Sequence, residues 1–76
     1  MRIHFIAIGG SAMHNLAIAL HKKGFNVTGS DDVIFEPSST RLANYGLLPK
    51  IFGWFETNIT PDIDEILNNY FLFFVL

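Results

Sequence analysis

The sequence predicts an α/β fold: a truncated, Rossmann-like three-layer domain with a mostly parallel sheet of about four strands and two helices. Three consecutive patterns carry this prediction. Residues 2–8 alternate and are rich in β-branched and aromatic side chains, which is typical of a strand. Gly9 and Gly10 interrupt the run, and residues 12–20 then place apolar side chains at helical spacing. A strand, a glycine turn and a helix in this order open a Rossmann-like sheet.

The glycine turn has the pattern of a phosphate-binding site. Backbone N–H groups of such a turn and the positive end of the following helix dipole both favour an anion. In the dinucleotide fingerprint G-x-G-x-x-G/A, the three small-residue places are held here by Ala7, Gly9 and Ala12. The match is partial, because the methyl group of Ala7 predicts a wider turn, while Ser11 offers a hydroxyl to cap the helix or to bind phosphate. The alternative is a tight strand-to-helix turn that binds nothing.

A second strand and an acidic residue follow the helix. Gly24 is expected to end the helix after two lysines, and residues 25–29 form a short strand. The strand leads into Ser30 and Asp31. An acidic residue at this place, roughly 20 residues beyond the glycine turn, holds a ribose hydroxyl in dinucleotide-binding domains. Asp31 is therefore the predicted ribose ligand, and an ordinary loop aspartate is the alternative.

The second half of the chain carries weaker signals. Pro37 ends a loop, and Ser38 or Ser39 is expected to be the N-cap of a short second helix. Residues 47–52 are expected to form a weak third strand. Pro49 cannot donate to a ladder, so this strand is expected at an edge of the sheet or with the proline at its start. Residues 64–67 are expected to form one helical turn.

Aromatic residues are concentrated towards the end of the chain. Trp54 and Phe55 either fold back on the core, which is the commoner outcome, or contact a neighbouring domain. Residues 70–75 form a continuous apolar run, which is typical of a buried parallel strand. This fourth strand has no following helix to cover it, so self-association through its apolar face is expected.

Composition and charge exclude several classes of protein. The 76 residues make at most one small domain. The net charge is −2 and no basic cluster occurs, which argues against a nucleic-acid partner. The apolar run 70–76 is too short to span a bilayer, so no membrane partner is expected. No signal peptide is expected either, because the first strand begins at Arg2 and the glycine turn interrupts any apolar core. The sequence has no cysteine, and His14 and His21 lie two helical turns apart, so no metal site is expected.

These residues resemble a known family. Residues 3–13, Leu16-Ala17 and residues 27–31 are similar to the N-terminal domain of the Mur ligases, the ATP-dependent amide-bond-forming enzymes of peptidoglycan biosynthesis. Residues 34–42 are more similar to the murein peptide ligase branch, which serves cell-wall recycling, than to the UDP-N-acetylmuramate–L-alanine ligase branch. The resemblance covers most of the chain.

The resemblance implies a cytoplasmic, UDP-N-acetylmuramate-binding domain that is not catalytic alone and contributes no catalytic residue. Residues 1–76 would be a single fragment of the N-terminal domain, and the ATP and Mg²⁺ of the complete enzyme would bind outside it. In agreement, the sequence contains no G-x-x-x-x-G-K-[ST] motif. The implied ligand contacts are to the diphosphate by Gly9, Gly10, Ser11, Ala12 and Met13, to the uridine by Ser30 and Asp31, and to the uracil by Ser38, Ser39 and Thr40.

Two other functions stay open at this stage. An NAD-binding half-domain of an oxidoreductase would suit Gly9, Ala12 and Asp31, although the missing first glycine suits it less. A non-enzymatic interaction module would use Trp54, Phe55 and the aromatic tail, and it would bind no nucleotide.

Overall fold

A computed structural model of the chain describes residues 1–54 and 60–68. These residues contain five elements in the order β1 (Arg2–Ile6), α1 (Ser11–Lys22), β2 (Asn26–Ser30), α2 (Ser38–Asn44) and β3 (Glu65–Leu67). The strands form one parallel sheet in the order β2-β1-β3. The α/β, Rossmann-like arrangement is therefore confirmed. Phe55 and the predicted fourth strand, residues 70–75, lie outside the described residues.

β1 is the central strand because both of its edges are paired. All five of its residues align with the five residues of β2, whereas residues 3–5 align with residues 65–67 of β3. Ile3, His4 and Phe5 are all buried, although their side chains alternate between the two faces of the sheet. Within the described ranges, neither helix is long and apolar enough to cross a bilayer.

One face of the sheet is apolar and shares a core with both helices. The strand residues of this core are Ile3, Phe5, Val27 and Leu67, and the helix residues are Met13, Ala17, Ile18 and Leu42. Gly29 of β2 is part of the same face. A Cβ atom at this position would lie 2.4 Å from Cδ1 of Ile8, so only glycine leaves room for the Ile8 side chain to pack against β2.

The opposite face carries three polar side chains, His4, Thr28 and Ser30, which we call the polar face. His4 Nδ1 lies 2.9 Å from Thr28 Oγ1, and His4 Nε2 lies 3.2 Å from Ser30 Oγ. Burial lowers the pKa of His4, because removal from water disfavours the charged imidazolium. The polar face therefore joins β1 to β2 through side-chain hydrogen bonds in addition to the backbone ladder.

The ends of the helices agree only in part with the sequence predictions. Gly24 has a φ of 97° and donates its N–H to the carbonyl of His21, so the predicted end of α1 is confirmed. The predicted N-cap of α2 is wrong, because the cap is Pro37 and no side chain caps the helix. The helix begins at Ser38, and the Ser39 hydroxyl instead donates to the carboxylate of Glu36.

Two predicted elements in the second half are wrong. Residues 47–52 form no strand; Leu47 is buried in the core, and the next pairing along the chain is a single bridge between Gly53 and Asp31. Pro49 has no N–H to donate, which breaks a ladder at this point. The helical turn predicted at residues 64–67 is absent: residues 65–67 form β3, because pairing with the second edge of β1 buries Leu67.

Candidate functional site

A cleft of about 380 Å³ lies where β1 and β2 end and the two helices begin. This is the edge of a parallel α/β sheet at which ligands bind. Eleven residues line the cleft, from the glycine turn, the loop after β2 and the start of α2: Ala7, Gly9, Gly10, Ser11, His14, Asp31, Val33, Phe35, Glu36, Pro37 and Ser38. Its volume is within the range of small-molecule sites.

Ala7 begins the turn in a backbone conformation that favours glycine. Its φ is 64°, in the left-handed region, where a Cβ atom is strained. The N–H groups of Ala7 and Ile8 both donate to the carbonyl of Ser30, at 2.9 and 3.2 Å. These two bonds fix the turn against the end of β2. The alanine therefore adopts the conformation that the fingerprint glycine would have, at a cost in strain.

Gly9 is packed too closely for any side chain. A Cβ atom here would lie 2.7 Å from Cγ1 of Ile34 and 2.9 Å from Oδ2 of Asp31. The Gly9 N–H donates to that same carboxylate oxygen over 3.0 Å, and the Asp32 N–H donates to Oδ1. Gly9 is therefore required by the contact between the turn and the loop after β2, whether or not a ligand is bound.

Asp31 is 8% exposed and lies at the floor of the cleft. Burial raises the pKa of its carboxyl group, and the hydrogen bond from the Gly9 N–H opposes this rise. Each oxygen accepts one backbone N–H, and a carboxylate oxygen has two lone pairs, so capacity for a ligand hydroxyl remains. The position is consistent with the predicted ribose ligand. The structure also gives Asp31 a second role in holding the turn.

The N-terminus of α1 opens into the cleft without a cap. The first helical hydrogen bond runs from the His14 N–H to the Gly10 carbonyl, at 2.8 Å. The N–H groups of Ser11, Ala12 and Met13 precede it, so they have no acceptor within the helix. Gly10 is the N-cap residue, no side-chain cap is present, and the first turn has no acidic residue. Ser11 therefore does not cap the helix, and the dipole at this end is available to an anion.

His14 of α1 is buried at 3% exposure, and its ring contacts both the start of its own helix and α2. Its Nδ1 lies 2.9 Å from the Gly10 carbonyl oxygen and 3.2 Å from Ser38 Oγ, and its Nε2 lies 3.1 Å from the Arg41 guanidinium. No sequence spacing indicates the contact to Arg41, because 27 residues separate the two.

Phe35 and Val33 form an exposed apolar wall of the cleft that the sequence did not indicate as part of a site. Phe35 is 74% exposed and Val33 49% exposed. An exposed aromatic ring beside a polar floor is suited to stacking with a planar group. The available signal was an apolar pair in a loop between Asp32 and Pro37, where burial in a core is not expected.

The structure brings together only some of the residues predicted to contact a ligand. Those that line the cleft are Gly9, Gly10, Ser11, Asp31 and Ser38. Ala12 and Met13 follow in α1 and do not line it, and the Met13 side chain is in the core.

Ser30, Ser39 and Thr40 do not line the cleft, and their hydroxyls have partners within the chain. The Ser30 hydroxyl is on the polar face with His4, and those of Ser39 and Thr40 bond to Glu36 and lower the pKa of its carboxyl group. Among residues 1–54 and 60–68, no three potential metal ligands come together.

Trp54 is 53% exposed and does not fold back on the core. The more favoured of the two sequence interpretations is therefore wrong for this residue.

Lys22 and His21 of α1 both lie against the Tyr45 ring, at 5.2 and 5.9 Å from its centroid, on the helix end away from the cleft. His21 consequently takes no part in the site.

Comparison with known proteins places the chain in a family. The family model described as "Mur ligase family, catalytic domain" matches residues 2–69. UDP-N-acetylmuramate–L-alanine ligases of Streptococcus pyogenes serotypes M49 (strain NZ131) and M4 (strain MGAS10750) are each 41% identical to the chain over 68 residues. These alignments cover 90% of the chain and 15% of each relative. No solved structure matches the chain.

The chain thus spans about 15% of the length of the curated relatives that it matches. These relatives give no support to the murein peptide ligase branch that residues 34–42 suggested. They do agree with the resemblance seen at the glycine turn and at the end of β2, since the match to the family model includes both. The chain belongs to the Mur ligase family.

Proposed function

We propose that the chain binds UDP-N-acetylmuramate as part of a Mur-type peptidoglycan ligase and that it contributes no catalytic residue itself. The observation that carries the proposal is the uncapped N-terminus of α1, which opens into a cleft with Asp31 at its floor. The relatives are named for a reaction with UDP-N-acetylmuramate, and a cleft that joins an uncapped helix end to a carboxylate suits a nucleoside diphosphate, so both support this ligand.

The diphosphate is assigned to the start of α1. Its phosphate oxygens would accept a hydrogen bond from the N–H of Ser11, which lines the cleft, and its negative charge would be stabilised by the helix dipole. Gly10 leaves this approach open, since it presents no side chain. The whole chain has a net charge of −2, so the attraction has to come from these local groups.

The uridine is assigned to the side of the cleft formed by the loop after β2. A ribose hydroxyl would donate to the free lone pairs of Asp31, which is the ordinary way in which such domains hold a ribose. The exposed ring of Phe35 would stack on the base. The Ser38 hydroxyl, at the start of α2, is the uracil neighbour that the geometry supports best among the three predicted serines and threonines.

ATP and Mg²⁺ are assigned to other parts of a complete family enzyme. The sequence has no P-loop motif, and its described residues hold no cluster of metal ligands. The chain gives two different indications of the acceptor that the complete enzyme would use. Residues 34–42 resemble the recycling branch, which uses a peptide, whereas the relatives are named for L-alanine. UDP-N-acetylmuramate is common to both, and the proposal therefore stops at this donor.

The site is best tested at Ser11 and not at Gly9. Any side chain at Gly9 would collide with Ile34 and Asp31, so lost binding would only report a damaged turn. Ser11→Glu instead places a negative charge at the uncapped helix end, where it stabilises the helix but repels a diphosphate. UDP binding, measured by calorimetry, is expected to weaken by about tenfold or more while the unfolding midpoint stays the same or rises.

Ala19→Glu is the matched control, because it adds the same charge to an exposed position of α1 near its other end. Its UDP affinity should stay within about twofold of the parent, by the screening expected at this distance. Unchanged UDP binding by Ser11→Glu would refute the diphosphate assignment. Binding of NADH but not UDP by the parent chain would favour the dinucleotide-binding alternative.

A further inference from the structure

We propose that His14 is a positioning residue of the cleft, held in one tautomer by Arg41 so that its Nδ1–H fixes the peptide that faces the diphosphate. This inference rests on the proposed function and extends it to two residues whose side chains are not required to touch the ligand. It is carried by the contacts of His14 to Gly10, Ser38 and Arg41.

The partners of the ring determine where its proton lies. An arginine guanidinium can only donate, so the His14 Nε2 atom, 3.1 Å from Arg41, must accept and carries no hydrogen. The Gly10 carbonyl can only accept, so Nδ1, at 2.9 Å, must donate. Both requirements are met by the neutral ring with its hydrogen on Nδ1. Arg41 on α2 therefore selects the tautomer that bonds to the glycine turn.

The Gly10 carbonyl accepts two hydrogen bonds from one residue, the main-chain N–H of His14 at 2.8 Å and its Nδ1–H at 2.9 Å. This carbonyl belongs to the same peptide group as the Ser11 N–H. The C=O and N–H of a trans peptide point in opposite directions, so fixing the carbonyl towards the helix aims the Ser11 N–H into the cleft. His14 thereby orients a donor without itself reaching the diphosphate.

The same tautomer sets the role of Ser38. Since Nδ1 already carries a hydrogen, the Ser38 hydroxyl can only accept from it, over 3.2 Å. The hydroxyl's own hydrogen is then available to another acceptor. Ser38 is 7% exposed and lines the cleft, so a ligand oxygen is the acceptor that we assign to it. One histidine proton thus orients two donors towards the ligand.

The chain itself suggests a conservative replacement for His14. Asn15 donates its side-chain amide to the Ser11 carbonyl, four residues before it, over 3.0 Å. An asparagine at position 14 can make the same bond to Gly10, but it lacks the atom that accepts from Arg41. His14→Leu removes both bonds at similar volume. His21→Leu, at the other end of the same helix, is the matched control because His21 contacts Tyr45 outside the cleft.

The experiment measures UDP affinity and thermal unfolding of the full chain for these variants and for Arg41→Met. His14→Leu is expected to bind UDP about tenfold more weakly, and His14→Asn to stay within about threefold of the parent, since one neutral hydrogen bond is rescued. Arg41→Met is expected to weaken binding about threefold and to lower the Nδ1–H signal of His14 in ¹⁵N spectra of the ring. His21→Leu is expected to bind as the parent does.

Three outcomes would overturn the inference while the proposed function stands. A parent ring with its hydrogen on Nε2 contradicts the tautomer, and equal UDP binding by the parent, His14→Leu and Arg41→Met contradicts the positioning role. Losses of affinity that follow the unfolding temperature, with no rescue by His14→Asn, would show a purely structural residue. A parent chain that does not bind UDP at all would instead refute the proposed function, and the inference with it.

Discussion

The two strands beside β1 are attached to it in different ways. β2 is paired along five residues, and it is also joined to β1 by His4 on the polar face and to the glycine turn through Ser30 and Asp31. β3 is paired along three residues. Next to it, at the surface, the Arg2 N–H donates to Asp64 Oδ2 at 2.7 Å and the Arg2 guanidinium lies 2.9 Å from Asp62.

The difference shows where the domain requires precision. On the β2 side, buried polar groups form hydrogen bonds with one another and fix the position of the glycine turn relative to β2. A small displacement there would leave a buried polar group without its partner, which costs stability. On the β3 side, Leu67 supplies core packing, and the polar contacts are exposed to water, where an ion pair contributes little. Among the described residues, those that line the cleft belong to the glycine turn, the loop after β2 and the start of α2, and none belongs to β3. Substitutions on the two sides of β1 test this contrast.

The largest effect is expected at Gly29. Replacement by alanine would place Cβ 2.4 Å from Cδ1 and 2.6 Å from Cβ of Ile8, and the branched Ile8 side chain is itself fully buried. Such overpacking should lower the free energy of unfolding by about 3 kcal/mol. Urea denaturation measures this loss. Asn26→Ala, at an exposed position of the same strand, is the control and should change stability little.

A smaller effect is expected at His4. His4→Ala removes two hydrogen bonds and leaves the buried Ser30 hydroxyl without its histidine partner, which should cost about 2 kcal/mol at pH 8. The variant's chemical denaturation curve, compared with that of the parent, measures the cost. A loss below the error of the method would show that the polar face does not help to hold β2.

The pH dependence gives an independent check on the same residue. Burial lowers the pKa of His4 below its usual value of 6.5, so the unfolded chain binds a proton at higher pH than the folded chain does. Stability should therefore fall as the pH drops below about 6.5. In His4→Asn this part of the slope should disappear. A parent and a variant with parallel stability–pH curves would contradict the assignment.

Ala7→Gly is expected to stabilise the chain. Glycine relieves the strain of a φ of 64° in the folded chain. We expect this relief to exceed the free-energy cost of the extra entropy that glycine gives the unfolded chain, for a net gain of about 1 kcal/mol. Thermal unfolding reports the gain. Ala17→Gly, in the buried middle of α1, should instead be destabilising, and a gain at both positions would exclude strain as the cause.

The smallest effect is expected at Asp62 on the β3 side. Its carboxylate lies 2.9 Å from Arg2, but both side chains are more than half exposed, at 55% and 57%. The Thr60 hydroxyl and Arg2 lower the pKa of Asp62, with the hydroxyl as the larger cause. Asp62→Asn should leave the unfolding midpoint unchanged within error. A clear loss would show that the β3 side is held as firmly as the β2 side.

The first half of the chain could be predicted from the sequence because its local signals and its long-range contacts agree. Residues 2–31 combine an alternating strand, a glycine turn and a helix with a glycine end, and the structure has each of them. Residues 64–67 have only a weak local preference. Pairing with β1, about 60 residues away, decided their conformation, and no local pattern reports a partner so distant.

The site was predictable to a similar extent. Gly9, Gly10, Ser11 and Asp31 were found because they follow a strand–turn–helix pattern with known spacing, and all four line the cleft. The carboxylate of Asp31 bonding to Gly9 across 22 residues could not be read from spacing. The same holds for the contact of His14 with Arg41, since its existence depends on how α2 packs on α1.

Ser30 ends β2 with two different sets of partners. Its hydroxyl bonds to His4 on the polar face, while its carbonyl accepts the N–H groups of Ala7 and Ile8 at the start of the turn. The two sides of the sheet therefore meet in a single residue. A substitution, a bound proton or a packed neighbour that moves the polar face therefore also acts on Ser30, whose carbonyl fixes the glycine turn beside the cleft. Evolution of one surface in this domain is constrained by the other.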